Sequence, residues 1–143
     1  MTESGWLFWA LLSAVFAAMT AIFAKLGVSG MDSDLATLVR TAVIFLILAG
    51  FVYFSGKWSD PFAYSPRAWL FLILSALATG ASWVCYFRAL KLGDVSKVAP
   101  VDKFSIVLVV IFAVMFLGER PSGRDWISIA MIGGGVLLLA FRR

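Results

Sequence analysis

Five long apolar runs, separated by short polar links that carry Gly or Pro, are the feature that most constrains how this chain can fold. A helix of about 20 residues, at about 1.5 Å rise per residue, crosses one hydrocarbon thickness of a bilayer. The chain has 143 residues and is 62% hydrophobic, which is more apolar surface than a soluble domain of this length can bury. The pattern predicts an all-α integral membrane protein, a five-transmembrane-helix bundle with spans at about 6–25, 35–54, 68–90, 100–117 and 126–141.

Charge and residue inventory argue against several functional classes. The net charge is +4, but the basic residues are scattered at helix ends rather than striped along one face, so we expect no nucleic-acid partner. The chain has no His and a single cysteine, Cys85, which leaves almost no ligands for a metal and no His base for catalysis. We therefore expect no metal site and no cofactor, and a membrane enzyme is the least supported class.

Basic residues are also unevenly divided between the two ends of the predicted helices. Side A, which carries the N-terminus, has four of them, and side B has eight. The positive-inside rule then places side B in the cytoplasm, with the N-terminus outside and the C-terminus inside a bacterial-type inner membrane. A two-to-one ratio also leaves insertion in both orientations open. The side B residues are Lys25, Arg40, Arg88, Lys91, Lys97, Lys103, Arg142 and Arg143.

An ionisable group inside a membrane span is a functional candidate. Arg40 lies six residues into the second span, about 9 Å along the helix axis. It is the one basic residue that clearly enters its span, and the predicted midplane holds no charge. Cargo would then be recognised largely by aromatic faces and hydroxyls, for which Trp83 and Tyr86 are available. These two aromatics fit an interfacial belt as well as a pore lining.

The remaining charged candidates lie at predicted helix ends. Lys25, Arg88, Lys91 and Lys97 are explained as interfacial anchors. Alternatively, the pair Asp102–Lys103 could form a cytoplasmic gate with Arg40 and Arg88. Asp102 near the start of the fourth helix is equally explained by capping, since the helix dipole favours an acid there.

Two further positions have both a structural and a functional interpretation. Pro100 is expected in the first turn of the fourth helix, where its missing N–H costs nothing. Glu119 either ends that helix or holds the turn to the fifth one. The run Gly133–Gly135 is more simply a packing or bending feature than a site.

The order of these motifs resembles the EamA-type domain of the drug/metabolite transporter superfamily. The likeness covers nearly the whole chain and predicts a single domain over residues 1–143. It also implies one half of an inverted-repeat transporter, because members of the family usually pair two five-helix halves around a central cavity. The motif residues are Tyr86, Ala89, Leu90, Ser96, Val98 and Pro100, then Gly118 and Glu119, then Gly133 to Gly135.

The resemblance implies a transporter that moves a small metabolite or drug-like solute across the inner membrane by alternating access. A lone half needs a partner in the lipid, either a second copy as an antiparallel homodimer or a different chain with the complementary half. The alternative is a non-transporting membrane subunit that stabilises or regulates a larger complex. The predicted substrate-binding or gating residues are Arg40, Trp83, Tyr86, Asp102 and Lys103, with Lys25, Arg88, Pro100 and Glu119 as secondary candidates.

Overall fold

The computed structural model describes residues 3–141, apart from the side chains of residues 3, 4 and 62. Within this range the chain is helical and contains no β-strand. Five of its segments are long and apolar enough to cross a bilayer, and this confirms the predicted all-α, five-span architecture. The segments are Gly5–Ser29, Ser33–Phe54, Pro66–Leu92, Val95–Leu117 and Gly123–Ala140.

The chain forms two compact units, Met1–Leu92 and Gly93–Arg143. The first unit contains α1 (Glu3–Ser29), α2 (Ser33–Phe54) and α3 (Pro66–Leu92), which contact one another. A short 3₁₀ turn, Pro61–Ala63, lies in the link between α2 and α3. Each helix extends a few residues beyond its apolar run, because polar end residues can continue a helix into the interfacial region.

The polar turn before the second span predicts Ser33 or Asp34 as the cap of α2, but the N-cap is Asp32. Asp32 has extended backbone angles, and its carboxylate accepts hydrogen bonds from the N–H groups of Asp34 and Leu35 at 2.9 and 3.2 Å. Ser33 is already helical, and its carbonyl accepts a hydrogen bond from the Thr37 hydroxyl. Because Asp32 supplies the cap, the Asp34 carboxylate is available to other partners.

The first unit is tightly packed at one end only. Its buried residues lie in the last turns of α1, the first turns of α2 and the last turns of α3, all on side B. By contrast, residues 66–82 of α3 are exposed, as are residues 5–19 of α1 apart from the half-buried Leu12. The apolar side chains there are available to lipid or to another chain. The buried set is Ala21, Ala24, Val28, Ser33, Ala36, Thr37, Phe87 and Leu90.

The second unit contains α4 (Val95–Asp102), α5 (Ser105–Phe112), a π-helical turn (Ala113–Leu117) and α6 (Gly123–Ala140). The expectation that the fourth helix starts at Pro100 is wrong, since α4 begins five residues earlier and Pro100 lies inside it. Pro100 has no N–H to donate to the preceding turn. The next bonds tighten instead, and the amides of Lys103 and Phe104 bond the carbonyls three residues back. The fourth span is thus interrupted.

This interruption changes the setting of Asp102 and Lys103. Both were expected near a helix start, but Asp102 is the last residue of α4 and Lys103 is its C-cap. A helix dipole stabilises an acid at the N-terminus rather than the C-terminus, so helix capping no longer explains Asp102.

In the glycine run of α6, the structure supports the packing interpretation at Gly133 only. A Cβ atom built on Gly133 of α6 lies 3.2 Å from the Cγ2 atom of Val107 on α5, whereas Gly134 and Gly135 have nothing within 4 Å. Gly133 therefore permits a close approach of α5 to α6 that a side chain would obstruct. At its start α6 has a capping box between Ser122 and Asp125, three residues before the predicted boundary.

Candidate functional site

Arg40 of α2 reaches across to an aromatic face of α3. Its guanidinium carbon lies 4.3 Å from the centre of the Trp83 ring and 5.5 Å from that of Phe87. Trp83 and Phe87 are four residues apart on a helix, so their rings share one face. The planar guanidinium is suited to such stacking, and the contact ties α2 to α3 at a partly buried position.

Aromatic rings do not satisfy the hydrogen bonds of this group. A guanidinium has five N–H donors, which carboxylate, carbonyl, phosphate or water oxygens can accept. Across residues 3–141 neither a hydrogen bond nor a salt bridge engages Arg40. A cation within a membrane span is costly unless an anion or water compensates it. Among the described residues, the Arg40 charge therefore has aromatic neighbours but no anionic partner.

The same arginine lines a groove of about 360 Å³ between α1 and α2, with α3 behind it. The wall is apolar except for Arg40 and the Thr20 hydroxyl, and that hydroxyl already donates its hydrogen to the Phe16 carbonyl at 2.8 Å. Arg40 is therefore the one side-chain donor in the wall that remains free for a ligand. The lining residues are Thr20, Phe23, Ala24, Gly27, Met31, Ala36, Val39, Arg40 and Phe87.

Of the predicted site residues, Arg40 and Trp83 are therefore in contact. Tyr86 lies one helical turn from Trp83, is half-buried, and its ring is 6.4 Å from Phe87 in an edge-on arrangement. Sequence reasoning did not single out Phe87. The available signal was its spacing of four residues from Trp83, which places both rings on the face that meets α2.

Three basic side chains make contacts between elements at the side B end of the first unit. Lys25 of α1 donates to the Leu90 carbonyl of α3 at 2.6 Å, and Lys91 donates to the Met31 carbonyl in the α1–α2 turn at 2.8 Å. Leu90 is in the last turn of α3, where carbonyls lack helical partners and favour a cation. The predicted interfacial anchors therefore also bond other parts of the protein.

The third contact is the bidentate pair of Arg88 and Asp34. Arg88 donates from Nε and a terminal nitrogen to the two Asp34 carboxylate oxygens, at 3.0 and 2.6 Å. Sequence reasoning treated Asp34 only as a cap and missed this pair. A signal was present, because an acid at the start of α2 and a base at the end of the antiparallel α3 fall on the same side of the bilayer.

We predict that the Asp34–Arg88 pair couples α2 to α3 with a small effect on stability. Both side chains are more than half exposed, at 51% and 59%, and exposed ion pairs contribute little. The variants Asp34→Asn and Arg88→Gln should each slightly lower the thermal unfolding midpoint in detergent. The double variant should fall no further than either one. Fully additive losses would show that the two residues act independently.

The other predicted residues belong to the second unit. Asp102 and Lys103 form an ion pair of 3.3 Å at the end of α4, and Pro100 lies two residues before them. Glu119 follows Gly118, whose φ of 68° ends the π-helical turn, and the Glu119 amide donates to the Ala113 carbonyl at 3.3 Å. Within residues 3–141, no group of three or more His, Cys, Asp or Glu side chains is arranged to hold a metal ion.

Five apolar helices, with a groove lined by Arg40 between the first two, are typical of a multi-pass membrane protein. The sequence of this chain matches the EamA-like transporter family over residues 4–141. The chain therefore belongs to the EamA-like transporter family, and it is a membrane transporter of the drug/metabolite class. This confirms the resemblance read from its motifs.

Individual relatives have names that describe transport. A Sinorhizobium sp. protein, "Uncharacterized transporter in cobO 3'region", is 58% identical over 140 residues, covering 98% of this chain and 99% of that protein. The Bacillus subtilis (strain 168) "Uncharacterized transporter YxxF" is 25% identical over 136 residues, which are 94% of this chain but 42% of that protein. No solved structure matches the chain.

A third relative has a more specific name. It is the Yersinia pestis (strain Pestoides F) "Probable 4-amino-4-deoxy-L-arabinose-phosphoundecaprenol flippase subunit ArnE", 29% identical over 85 residues. The match covers 59% of this chain and 75% of that protein. The relatives thus include one protein of nearly the same length, one much longer protein and one named as a subunit.

Proposed function

We propose that the protein moves a small metabolite or drug-like solute that carries an anionic group across the inner membrane by alternating access. Membership of a transporter family supports the class of activity. The observation that carries the cargo assignment is the Arg40 guanidinium, which faces an apolar groove with aromatic rings on one side and no counter-charge among the described residues. An anionic cargo group would supply the missing charge and hydrogen-bond acceptors.

The other predicted residues are assigned supporting roles in this proposal. Trp83 and Tyr86 shape the site next to Arg40, and Trp83 keeps the guanidinium at a fixed height through its stacking contact. Asp102 and Lys103 act in gating, since they lie where the fourth span is interrupted and a change of helix direction is least costly.

The proposed transport path includes a partner for this five-helix chain. The match spans 42% of the Bacillus relative, and the Yersinia relative is named as a flippase subunit. Both observations support a partner for this chain. The first half of α1 exposes Trp6, Phe8 and Phe16 to lipid or to another chain. We propose an antiparallel homodimer or assembly with a complementary second half, in keeping with inverted-repeat transporter design.

We predict that a reporter fused after Arg143 reports mainly from the cytoplasm, because side B has eight basic residues and side A has four. Arg142 and Arg143, which enter this count, lie outside the described residues. Paired reporters, one active on each side of the membrane, measure the distribution. Replacing Lys91 and Lys97 with Gln reduces the ratio to six against four and should raise the outside signal. Equal signals from the unaltered chain would contradict a fixed orientation and favour the antiparallel homodimer.

Reconstitution of the purified protein into liposomes tests transport itself. Uptake of anionic solutes from a panel that includes matched neutral and cationic compounds supports the proposal. The alternative is a non-transporting subunit of a larger membrane complex, and the word "subunit" in the name of the Yersinia relative favours testing it. Flux by this chain alone contradicts that alternative. Flux that arises only after a complementary chain is added supports it.

A further inference from the structure

The groove beside Arg40 has a definite position along the helices. It extends from Met31 in the α1–α2 turn to Thr20, nine residues before the end of α1. Nine residues correspond to about 13 Å of helix. Arg40 is seven residues after the start of α2, or about 10 Å from the same end. The groove thus begins near the interface and ends within the hydrocarbon region, with its cation at the inner part.

The groove is open along its length rather than enclosed. Phe23 and Val39, on its two edges, are 62% and 50% exposed. A ligand that fills the groove therefore also contacts the surrounding lipid. A small hydrated anion would leave both edge side chains uncovered. It would also lose hydrating water and gain only one side-chain donor, Arg40, in exchange. The groove therefore suits a ligand with one anionic group whose remainder is apolar.

We propose that this groove binds an anionic amphiphile that enters sideways from the bilayer. Its phosphate monoester lies at Arg40, and its hydrocarbon chain leaves the groove sideways past Phe23 and Val39 into the surrounding lipid. This inference rests on the proposed role of Arg40 in cargo contact and adds the class of ligand. The hydrocarbon chain of the ligand supplies apolar contacts that a soluble anion lacks. The guanidinium of Arg40 supplies charge-assisted hydrogen bonds that a neutral lipid cannot use.

Trp83 does not line the groove, but it provides a reporter next to it, because its ring lies 4.3 Å from the Arg40 guanidinium carbon. A variant with its other five tryptophans changed to Phe retains only this fluorophore. In lipid nanodiscs, phosphatidic acid with dibrominated chains should quench Trp83 saturably, while dibrominated phosphatidylcholine should quench only in proportion to its mole fraction. The replaced residues are Trp6, Trp9, Trp58, Trp69 and Trp126.

Arg40→Gln should weaken the binding of phosphatidic acid by roughly tenfold or more, since charge-assisted hydrogen bonds are lost. Arg67→Gln is the matched control. The guanidinium carbon of Arg67 lies 5.8 Å from the centre of the Phe71 ring. Both residues are on α3 and neither lines the groove, so this variant should leave binding unchanged. Native mass spectrometry of the protein with all six tryptophans gives a second measurement that does not depend on the multiple substitution.

Three results would overturn the inference. The first is equal quenching by the two lipids, and the second is binding that Arg40→Gln leaves intact. The third is displacement of phosphatidic acid by soluble glycerol 3-phosphate as effectively as by lysophosphatidic acid. That result would show that the hydrocarbon chain contributes nothing to binding. The proposed function is tested separately by solute flux. Arg40-dependent solute flux without lipid selectivity supports the proposed transport and contradicts the amphiphile site. Lipid selectivity without solute flux supports the amphiphile site and contradicts the proposed transport.

Discussion

The Arg40→Ala protein is expected to lose at least roughly nine-tenths of its solute uptake in liposomes while remaining folded in detergent. Removal of the guanidinium deletes charge-assisted hydrogen bonds worth about 1.5–3 kcal/mol to an anionic cargo group. That energy corresponds to about a tenfold to hundredfold change in binding. The measurement is initial uptake of the anionic solutes that the unaltered protein accepts, at matched amounts of reconstituted protein.

A purely structural role for Arg40 makes a different prediction, because its side chain also packs on Trp83 and Phe87. Arg40→Met keeps much of the apolar stem and loses the charge, whereas Arg40→Lys keeps the charge and loses the planar fork. Cargo contact predicts that Met is as inactive as Ala and that Lys retains partial uptake. Normal uptake by the Met variant would contradict the assignment and leave Arg40 as a packing residue.

Gly133→Leu is expected to destabilise the second unit by about 1–3 kcal/mol, the usual cost of overpacking a close contact. A Cβ atom at this position already lies 3.2 Å from Val107 Cγ2 and 3.9 Å from a ring carbon of Phe104. Additional side-chain atoms must push α5 away from α6 or adopt strained rotamers. The thermal unfolding midpoint in detergent, followed by circular dichroism, measures the loss.

Gly134→Leu is the matched control for this prediction. It lies in the same helix and gains about the same helix propensity, roughly 1 kcal/mol relative to Gly, but a side chain there meets nothing within 4 Å. The control should therefore be as stable as the unaltered protein or more so. Equal loss in the two variants would show that the glycine run acts through backbone flexibility rather than through the α5–α6 contact.

Part of the candidate site could be predicted from the sequence. The depth of Arg40 follows from its position in an apolar run, and aromatic residues in the next helix were available to stack on it. The spacing of four residues places Trp83 and Phe87 on one face of α3, but it does not predict whether that face or the one with Tyr86 meets α2. The facing of α3 towards α2 decides that Trp83 and Phe87 contact the guanidinium.

The error at the fourth span has a local cause. Proline is favoured at the first position of a helix, and the apolar run begins near Pro100, so a start there was reasonable. Residues 95–99 nevertheless form the first turn of α4, with Asp94 in the extended N-cap conformation. Proline then interrupts a helix that has already begun, and Asp102 and Lys103 fall at a helix end rather than a helix start.

The sequence by itself determined that the protein lies in a lipid bilayer, that it has five helical spans, and which family it belongs to. These properties follow from the apolar content of each segment and from motif order along the chain, which are local quantities. Only the tertiary structure decided the partners of the charged side chains. The contacts of Lys25 with Leu90 and of Arg88 with Asp34 join positions 65 and 54 residues apart. Such pairs depend on how the helices are rotated against one another, because only packing brings distant residues onto facing sides.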